Sequence, residues 1–506
     1  MKHMKKLFAM LMAVIMLVGL LSVTSFADDP VTYTITAPTN GTRSYEVYQI
    51  MTGDLTVKDG NDILSNVQWG TNAVSGKSGA VSTADMDAIT AISELTTEAD
   101  KAAAIAAYVN FGSTPAAVVS KDHSATVAAG YYLIKDIGEV GKGEAYSLYV
   151  VQVVGNTTID PKVDTTSSQK KVKDINDSTD TAMGNWQDSA DHNVGDAVPF
   201  QLKAIICDDY ANYNYGYKLT FHDKESAGLT FNADSVKVYV DGKLLSSGYT
   251  VTTSTTDGDT FDVSFANLKT VVAADDTKVQ AGSVITVEYT ATLNGQAVMG
   301  SAGNPNEMYM TYTNNPNDDQ AGENGETPVD KVIVFTYKVV ANKYANAVSE
   351  TTKLTGAGFT LYKFVAAADG NETYKDVKGN WTAVGDEVNG TDMTTFVWER
   401  IDDGEYKLVE STTPAGYNTI DPIMFTVSAE HDATADDPKL TSLTGGTLFT
   451  GEVSTGALTG DVVNQSGSTL PETGGMGTYI FYAVGGVLVL AAVVLFVTKK
   501  RMSNED

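Results

Sequence analysis

Alternation is the feature that most limits what this chain can fold into. From about residue 163 onward, Tyr, Val and Thr recur in alternation with polar residues between turns rich in Gly, Asn and Asp. Side chains of a strand point to opposite faces with period two, so such segments read as half-buried strands. A succession of them with frequent turn residues is the pattern of a β-sandwich. Within the pattern, some polar residues stand where apolar ones belong. Val339, Ala341 and Lys343 share one face of a strand; so do Tyr406, Leu408 and Glu410, and so do Val462 and Asn464. An unpaired buried Lys or Glu is costly, so these three polar side chains are expected to meet. Burial would push the Lys343 amine towards its neutral, nucleophilic form and Glu410 towards its protonated form. A neutral acid bonded to the Asn464 carboxamide polarises its carbonyl while the amine attacks and ammonia leaves. The expected product is a Lys–Asn isopeptide bond between the first and last strands of that domain.

Residues 28–162 read differently, as an α+β domain. Val31–Ile35 and Tyr45–Ile50 alternate like strands, and Ser82–Asp85 resembles a capping box before a helix with Met86, Ile89 and Ile92 on one face. A second helix is predicted over Glu98–Val109, and strands return at Gly130–Ile134 and Tyr146–Val154. The stretch Gly70 to Ser78 fails as a phosphate loop, because five residues rather than four separate Gly70 from Gly76-Lys77-Ser78. The predicted layout is then a sandwich over 163–315, a linker over 316–330, a second sandwich over 331–465 and a terminal segment over 466–506. The fold class is mainly β, in tandem immunoglobulin-like sandwiches.

Both ends carry processing signals. Lys2, Lys5 and Lys6 precede an apolar stretch from Leu7 to Leu21, and Ser25-Phe26-Ala27 ends it, as in a signal peptide over 1–27. At the other end, Leu470-Pro471-Glu472-Thr473-Gly474 precedes an apolar run of 19 residues, Tyr479–Val497, and then Lys499-Lys500-Arg501. Such a run is long enough to span a bilayer, and the basic cluster keeps the tail in the cytoplasm. Without these ends, 28 basic side chains face 61 acidic ones, a surface that repels nucleic-acid phosphates. Cys207, the single cysteine, excludes an intramolecular disulfide and reads as a small buried apolar residue after Ile205-Ile206. No nucleophile–base pair and no metal-ligand spacing stands out, and the Asp- and Asn-rich loops read as solvated turns.

Several of these motifs resemble known families. Leu470–Gly474 with its apolar run and basic tail resembles the LPXTG cell-wall sorting signal of Gram-positive surface proteins. That likeness implies that a sortase cuts between Thr473 and Gly474 and passes the Thr473 acyl group to an amine. Leu354–Tyr362, Gly404–Glu410 and Pro414–Tyr417 look like the strand signature and E-box of the CnaB-like domains of pilins and adhesins. The likeness implies Lys343 and Asn464 as the linked pair, with Glu410 as the acid. Lys170-Lys171-Val172, His222-Asp223 and Met308–Pro316 resemble the larger, CnaA-like isopeptide-forming sandwich of the same proteins. Alternation among them favours Lys170–Asn314 with Asp223 as acid, leaving Lys171, Asn315 or another carboxylate open. Ile159-Asp160-Pro161-Lys162 stands where backbone pilins carry a YPK-type motif, which implies Lys162 as the amine that joins subunits, although Asp160 replaces the usual Tyr.

Taken over the whole chain, the sequence resembles major backbone pilins of sortase-assembled pili, of the SpaH/EbpB type. The resemblance implies a structural subunit and not an enzyme, with no cofactor and no metal. Its implied partners are a pilus-type and a housekeeping sortase, identical subunits, minor or tip pilins and peptidoglycan, with no nucleic acid. The alternative is a monomeric LPXTG wall-anchored adhesin built from the same modules.

Overall fold

In the computed structural model the described residues are 31–467, apart from 39–42, 59–60, 96–97, 139, 141–142, 160–163, 180, 254, 256–257 and 318–323, together with 488–496 and 499. The signal peptide, Lys162 and Leu470–Gly474 therefore lie outside the described residues. Of the apolar run, residues 488–496 are helical and exposed. Among the described residues no helix is long and apolar enough to cross a membrane. The chain divides into two compact units. The first holds the residues up to Ile175, Thr181–Thr336 and Glu430–Thr441; the second holds Asn176–Asp180, Tyr337–Ala429 and the residues from Ser442 on.

The first unit begins with the α+β region. Its main sheet runs Asn61–Trp69, Ser44–Lys58, Gly130–Asp136, Leu148–Val153, with Ala117–Ser120 also on Ser44–Lys58. A smaller sheet sets Thr32–Thr36 between Ala125–Ala128 and Thr157–Thr158. The helix Thr83–Ser93 starts where the capping signal places it: the Ser82 hydroxyl accepts the Asp85 amide at 3.1 Å. Its Ile89 is fully buried, with Met86 and Ile92 packed against the same core as Tyr48, Leu64 and Leu133. The next helix, Glu98–Ala106, stops one turn before the predicted end.

The same unit continues as a two-sheet sandwich. One sheet runs Thr181–Gln187, Ser167–Asn176, Ala197–Ile205, Val284–Leu293, Leu229–Val240, Lys243–Leu245. The other runs Ser189–Asp191, Asp330–Phe335, Asn304–Thr313, Leu219–Glu225, Phe261–Phe265, Thr250–Thr252. Their inner faces, among them Phe200, Leu202, Val287, Leu219, Phe221 and Met310, form one core of fully buried side chains. Here the predicted layout needs correction. Residues 316–330 are not a plain linker: Asn324–Glu326 pairs with Asn304–Thr313. Asp330–Phe335, assigned by sequence mostly to the next sandwich, also pairs antiparallel with Asn304–Thr313. Its apolar Val332-Ile333-Val334-Phe335 lies between Asn304–Thr313 and Ser189–Asp191 in this sheet, and the four residues are at most 6% exposed.

The second unit is a smaller sandwich. One sheet runs Thr395–Ile401, Tyr337–Ala345, Ala457–Asn464, Thr450–Glu452. The facing one is centred on Gly358–Ala366 and Gly404–Thr412. The first and last strands, Tyr337–Ala345 and Ala457–Asn464, pair in parallel, with Lys343 opposite Val462 and Ala345 opposite Asn464. Pulling the two ends of this sandwich apart therefore shears that pair along its length.

Candidate functional site

In the second unit, strand alternation delivers each polar side chain inwards. Tyr337, Val339, Ala341 and Lys343 are fully buried, as are Tyr406, Leu408 and Asn464, with Glu410 only 4% exposed. The Lys343 Nζ touches the Asn464 Oδ1. The Asn464 Nδ2 donates to both Glu410 oxygens, at 2.8 and 3.0 Å, and to the Asn418 carbonyl at 3.0 Å. Nζ lies 3.4 Å from Glu410 Oε1 and 5.4 Å from the centre of the Phe359 ring. The second Glu410 oxygen accepts the Ile420 amide at 3.1 Å, which keeps the carboxyl from rotating away. Burial lowers the Lys343 pKa, against the pull of Glu410, and so favours the free amine. An amine, an amide carbon and a carboxyl group are thus packed together out of water.

The sandwich of the first unit holds a second buried lysine. Lys170 and Asp223 are both fully buried and joined directly, Nζ to Oδ2. The Tyr289 hydroxyl accepts from Nζ at 3.1 Å, donates to Asp223 Oδ2 at 2.8 Å, and accepts from Asn306 Nδ2 at 2.9 Å. Asn306 is fully buried, and its Oδ1 accepts no hydrogen bond among the described residues. Burial lowers the Lys170 pKa and raises that of Asp223, so both members of the pair are driven towards neutral. Glu225, on the same strand, is pushed up to about 8 by burial and by Asp223.

Asn314 does not reach this site. Asp223 pairs with Met308 and Glu225 with Asn306, whereas Tyr312 pairs with Leu219. Asn314 lies eight residues beyond Asn306 on the same face, on the order of 27 Å along an extended strand. It instead donates to the Glu144 carbonyl at 3.1 Å, and its own carbonyl accepts the Tyr146 amide at 2.8 Å. Of the other residues left open, Lys171 turns outwards to Asp188, and Asn315 accepts the Asn317 amide at 3.0 Å. Asn306 was overlooked although its parity matches that of Met308; Tyr289 carried no signal of its own.

A third buried lysine behaves otherwise. Lys363 donates to Asp177 and Asp402, each at 2.8 Å. Burial alone would lower its pKa, but Tyr406, Asp402 and Asp177 together hold it well above the ordinary value. It remains an ammonium and is no nucleophile.

Near the predicted subunit-joining amine, the flanks are tied down. The Ile159 amide donates to the Thr36 carbonyl at 2.7 Å, and Asp164 accepts the Asp208 amide at 2.5 Å.

Three segments of the chain match known families. Residues 194–316 match the Cna-B-like domain of Gram-positive pilin backbone subunit 2, residues 338–439 a prealbumin-like fold domain, and residues 462–504 the LPXTG cell wall anchor motif. A curated relative, the trypsin-resistant surface T6 protein of Streptococcus pyogenes serotype M6, is 26% identical over 349 residues, 55% of this chain. The match spans only 60% of that relative's length. Among solved structures, the T6 backbone pilin of serotype M6 S. pyogenes aligns over 88% of this chain and all of its own, at 18% identity and a TM-score of 0.49. The full-length major pilin SpaD of Corynebacterium diphtheriae aligns over 88% of this chain and all of its own, at 16% identity and a TM-score of 0.43.

Proposed function

The chain carries the Cna-B-like domain of Gram-positive pilin backbone subunits, a prealbumin-like domain and an LPXTG cell-wall anchor, and from this we propose that it is the backbone subunit of a covalently polymerised surface pilus. A sortase would cleave after Thr473 and transfer that acyl group to Lys162 of the next subunit, and a housekeeping sortase would attach the finished fibre to peptidoglycan. The pairing of a pilin-backbone domain with a wall anchor in one chain is the observation that carries this reading. The Ile159-Asp160-Pro161-Lys162 sequence supports it through its resemblance to the acceptor motif of backbone pilins. The test is a wall extract boiled in detergent. A ladder of high-mass species is expected, lost on Lys162→Ala or on deletion of Leu470–Gly474. A ladder that survives Lys162→Ala moves the acceptor to another lysine; no ladder in the parent, with its pilus sortase present, makes the protein a monomeric adhesin.

Each sandwich would also cross-link itself once. In the second unit the Lys343 lone pair attacks Cγ of Asn464, forming the N–C bond. The C–Nδ2 bond then breaks, and Glu410 moves the proton from the incoming to the leaving nitrogen, which departs as ammonia. In the first unit the same steps join Lys170 to Asn306. Asp223 is the acid, and the Tyr289 hydroxyl, bonded to both Asp223 and Asn306, is the path to the leaving nitrogen. This chemistry turns over once and makes the protein a self-modifying structural unit, not an enzyme.

A further inference from the structure

We propose that His431, Asp174 and Asp191, all in the first unit, form a binding site for one divalent transition-metal ion of the zinc class. Asp174 is on the strand Ser167–Asn176, Asp191 ends Ser189–Asp191, and His431 ends Ile423–His431. Their side chains are between 4% and 10% exposed. The His431 Nε2 stands 3.6 Å from Asp174 Oδ2 and 3.6 Å from Asp191 Oδ1.

The other ring nitrogen decides what Nε2 can be. The Ser189 hydroxyl lies 2.7 Å from His431 Nδ1 and donates to the Asp432 carbonyl at 2.7 Å. Its single hydrogen is spent on that carbonyl, so Nδ1 must be the donor to Ser189. Burial opposes charge on the ring, yet Asp174 and Asp191, at which Nε2 is aimed, raise its pKa to about 10, so Nε2 carries a cation, either a proton or a metal ion. A lone pair facing two anions in a nearly closed space requires a cation between them. The spacing identifies the kind. At 3.6 Å the nitrogen is too far from either oxygen for a normal hydrogen bond. Metal–ligand bonds of about 2.0–2.2 Å in a tetrahedral site place ligand atoms roughly 3.4 Å apart, close to what is observed.

A hydroxyl–imidazole relay that fixes the tautomer of a ligand histidine is the usual outer support of a metal site. Imidazole with two carboxylates suits zinc or a neighbouring transition metal, whereas calcium and magnesium demand more oxygens. The Gln187 amide, which donates to Asp174 Oδ2 at 3.3 Å, holds that carboxylate in place.

A second histidine with two carboxylates shows the contrast. His222 Nδ1 is 3.0 Å from Asp262 and 3.3 Å from Asp259, and its Nε2 bonds Thr311 at 3.0 Å. Both ring nitrogens there are at hydrogen-bond distance from protein partners, so the arrangement calls for no ion.

The consequence is local. The ion would fasten the segment Glu430–Thr441 to strands of the sandwich that it already touches through the Asp188 amide on the Ala433 carbonyl, 2.9 Å. The test uses the full purified chain, stripped with chelator and titrated calorimetrically with Zn2+, Ca2+ or Mg2+, followed by limited proteolysis. One equivalent of Zn2+ is expected to bind and to slow cleavage between residues 430 and 441, with no response to Ca2+ or Mg2+. His431→Gln should abolish binding, and Ser189→Ala should weaken it by about 10- to 100-fold by releasing the ring. Circular dichroism of both variants checks that they fold. Failure of the parent chain to bind Zn2+, or binding undiminished in His431→Gln, overturns the site and leaves a proton as the bridging cation. Loss of the pilus ladder bears on the subunit reading alone and not on this site.

Discussion

Replacing Glu410 by Gln tests the covalent tie of the second unit with little change of shape. The carboxamide keeps the volume and can still hydrogen-bond Asn464, but it cannot carry the proton that must leave with ammonia. Lys343 and Asn464 are 121 positions apart. While they are bonded, tension entering at the first strand leaves at the last without passing through the residues between them. Breaking the tie frees that segment, and at ~3.5 Å per residue the chain gains about 420 Å of contour length. Closing a loop of this length removes unfolded-state entropy worth about 5 kcal/mol on the disulfide scale. For a sandwich of this size that corresponds to roughly 15–20 °C in melting temperature.

Three measurements on one sample follow. The parent mass should fall about 17 Da short of the sequence for this bond, and Glu410→Gln should return that increment. Force–extension traces of the variant should gain a step of about 40 nm that the parent lacks. Its thermal transition should drop by the amount above. A parent whose mass equals its sequence, or whose traces already contain the long step, refutes the reasoning. A variant that loses stability without recovering mass would show that Glu410 supports packing and nothing more.

In the first unit, Asn306→Ala should return about 17 Da and Asn314→Ala should not, as read by intact mass; the reverse would reinstate Asn314. Lys363 should stay unbonded, so the total deficit is about 34 Da, and a further loss of about 18 Da would mean that it condenses with Asp402 after all. Asp209 is pushed up to about 7, chiefly by burial. Between the ordinary Asp value and about 7 the folded state keeps a proton that the unfolded state has released, so stability falls as pH rises, by up to about 1.4 kcal/mol per unit. Asp209→Asn should flatten that slope in denaturant titrations between pH 5 and 8, and an unchanged slope would place the cause elsewhere. Ser82→Ala, which removes the helix cap, should cost about 1 kcal/mol in the same titrations without altering mass.

Much of the architecture was legible because strand parity is a local property. Period two in Tyr337–Ala345, Gly404–Thr412 and Ala457–Asn464 assigns Lys343, Glu410 and Asn464 to inner faces without knowledge of any neighbour, and in the structure those faces are buried. The Ser82 cap and the apolar face of the first helix were local in the same sense. Parity says which way a side chain points, but not what lies opposite it. Asn306 and Asn314 have the same parity; the register that sets Asp223 against Met308 leaves the first bonded to the Tyr289 hydroxyl, which Lys170 also bonds, and the second beside Glu144. Asp330–Phe335 reads equally well as the last strand of one sandwich or the first of the next, and only its pairing with Asn304–Thr313 decides. The cluster of His431 with Asp174 and Asp191 had no sequence signature at all. Its members come from three strands, with His431 240 positions beyond Asp191, and only the packed chain brings their ligand atoms within 4.8 Å of one another.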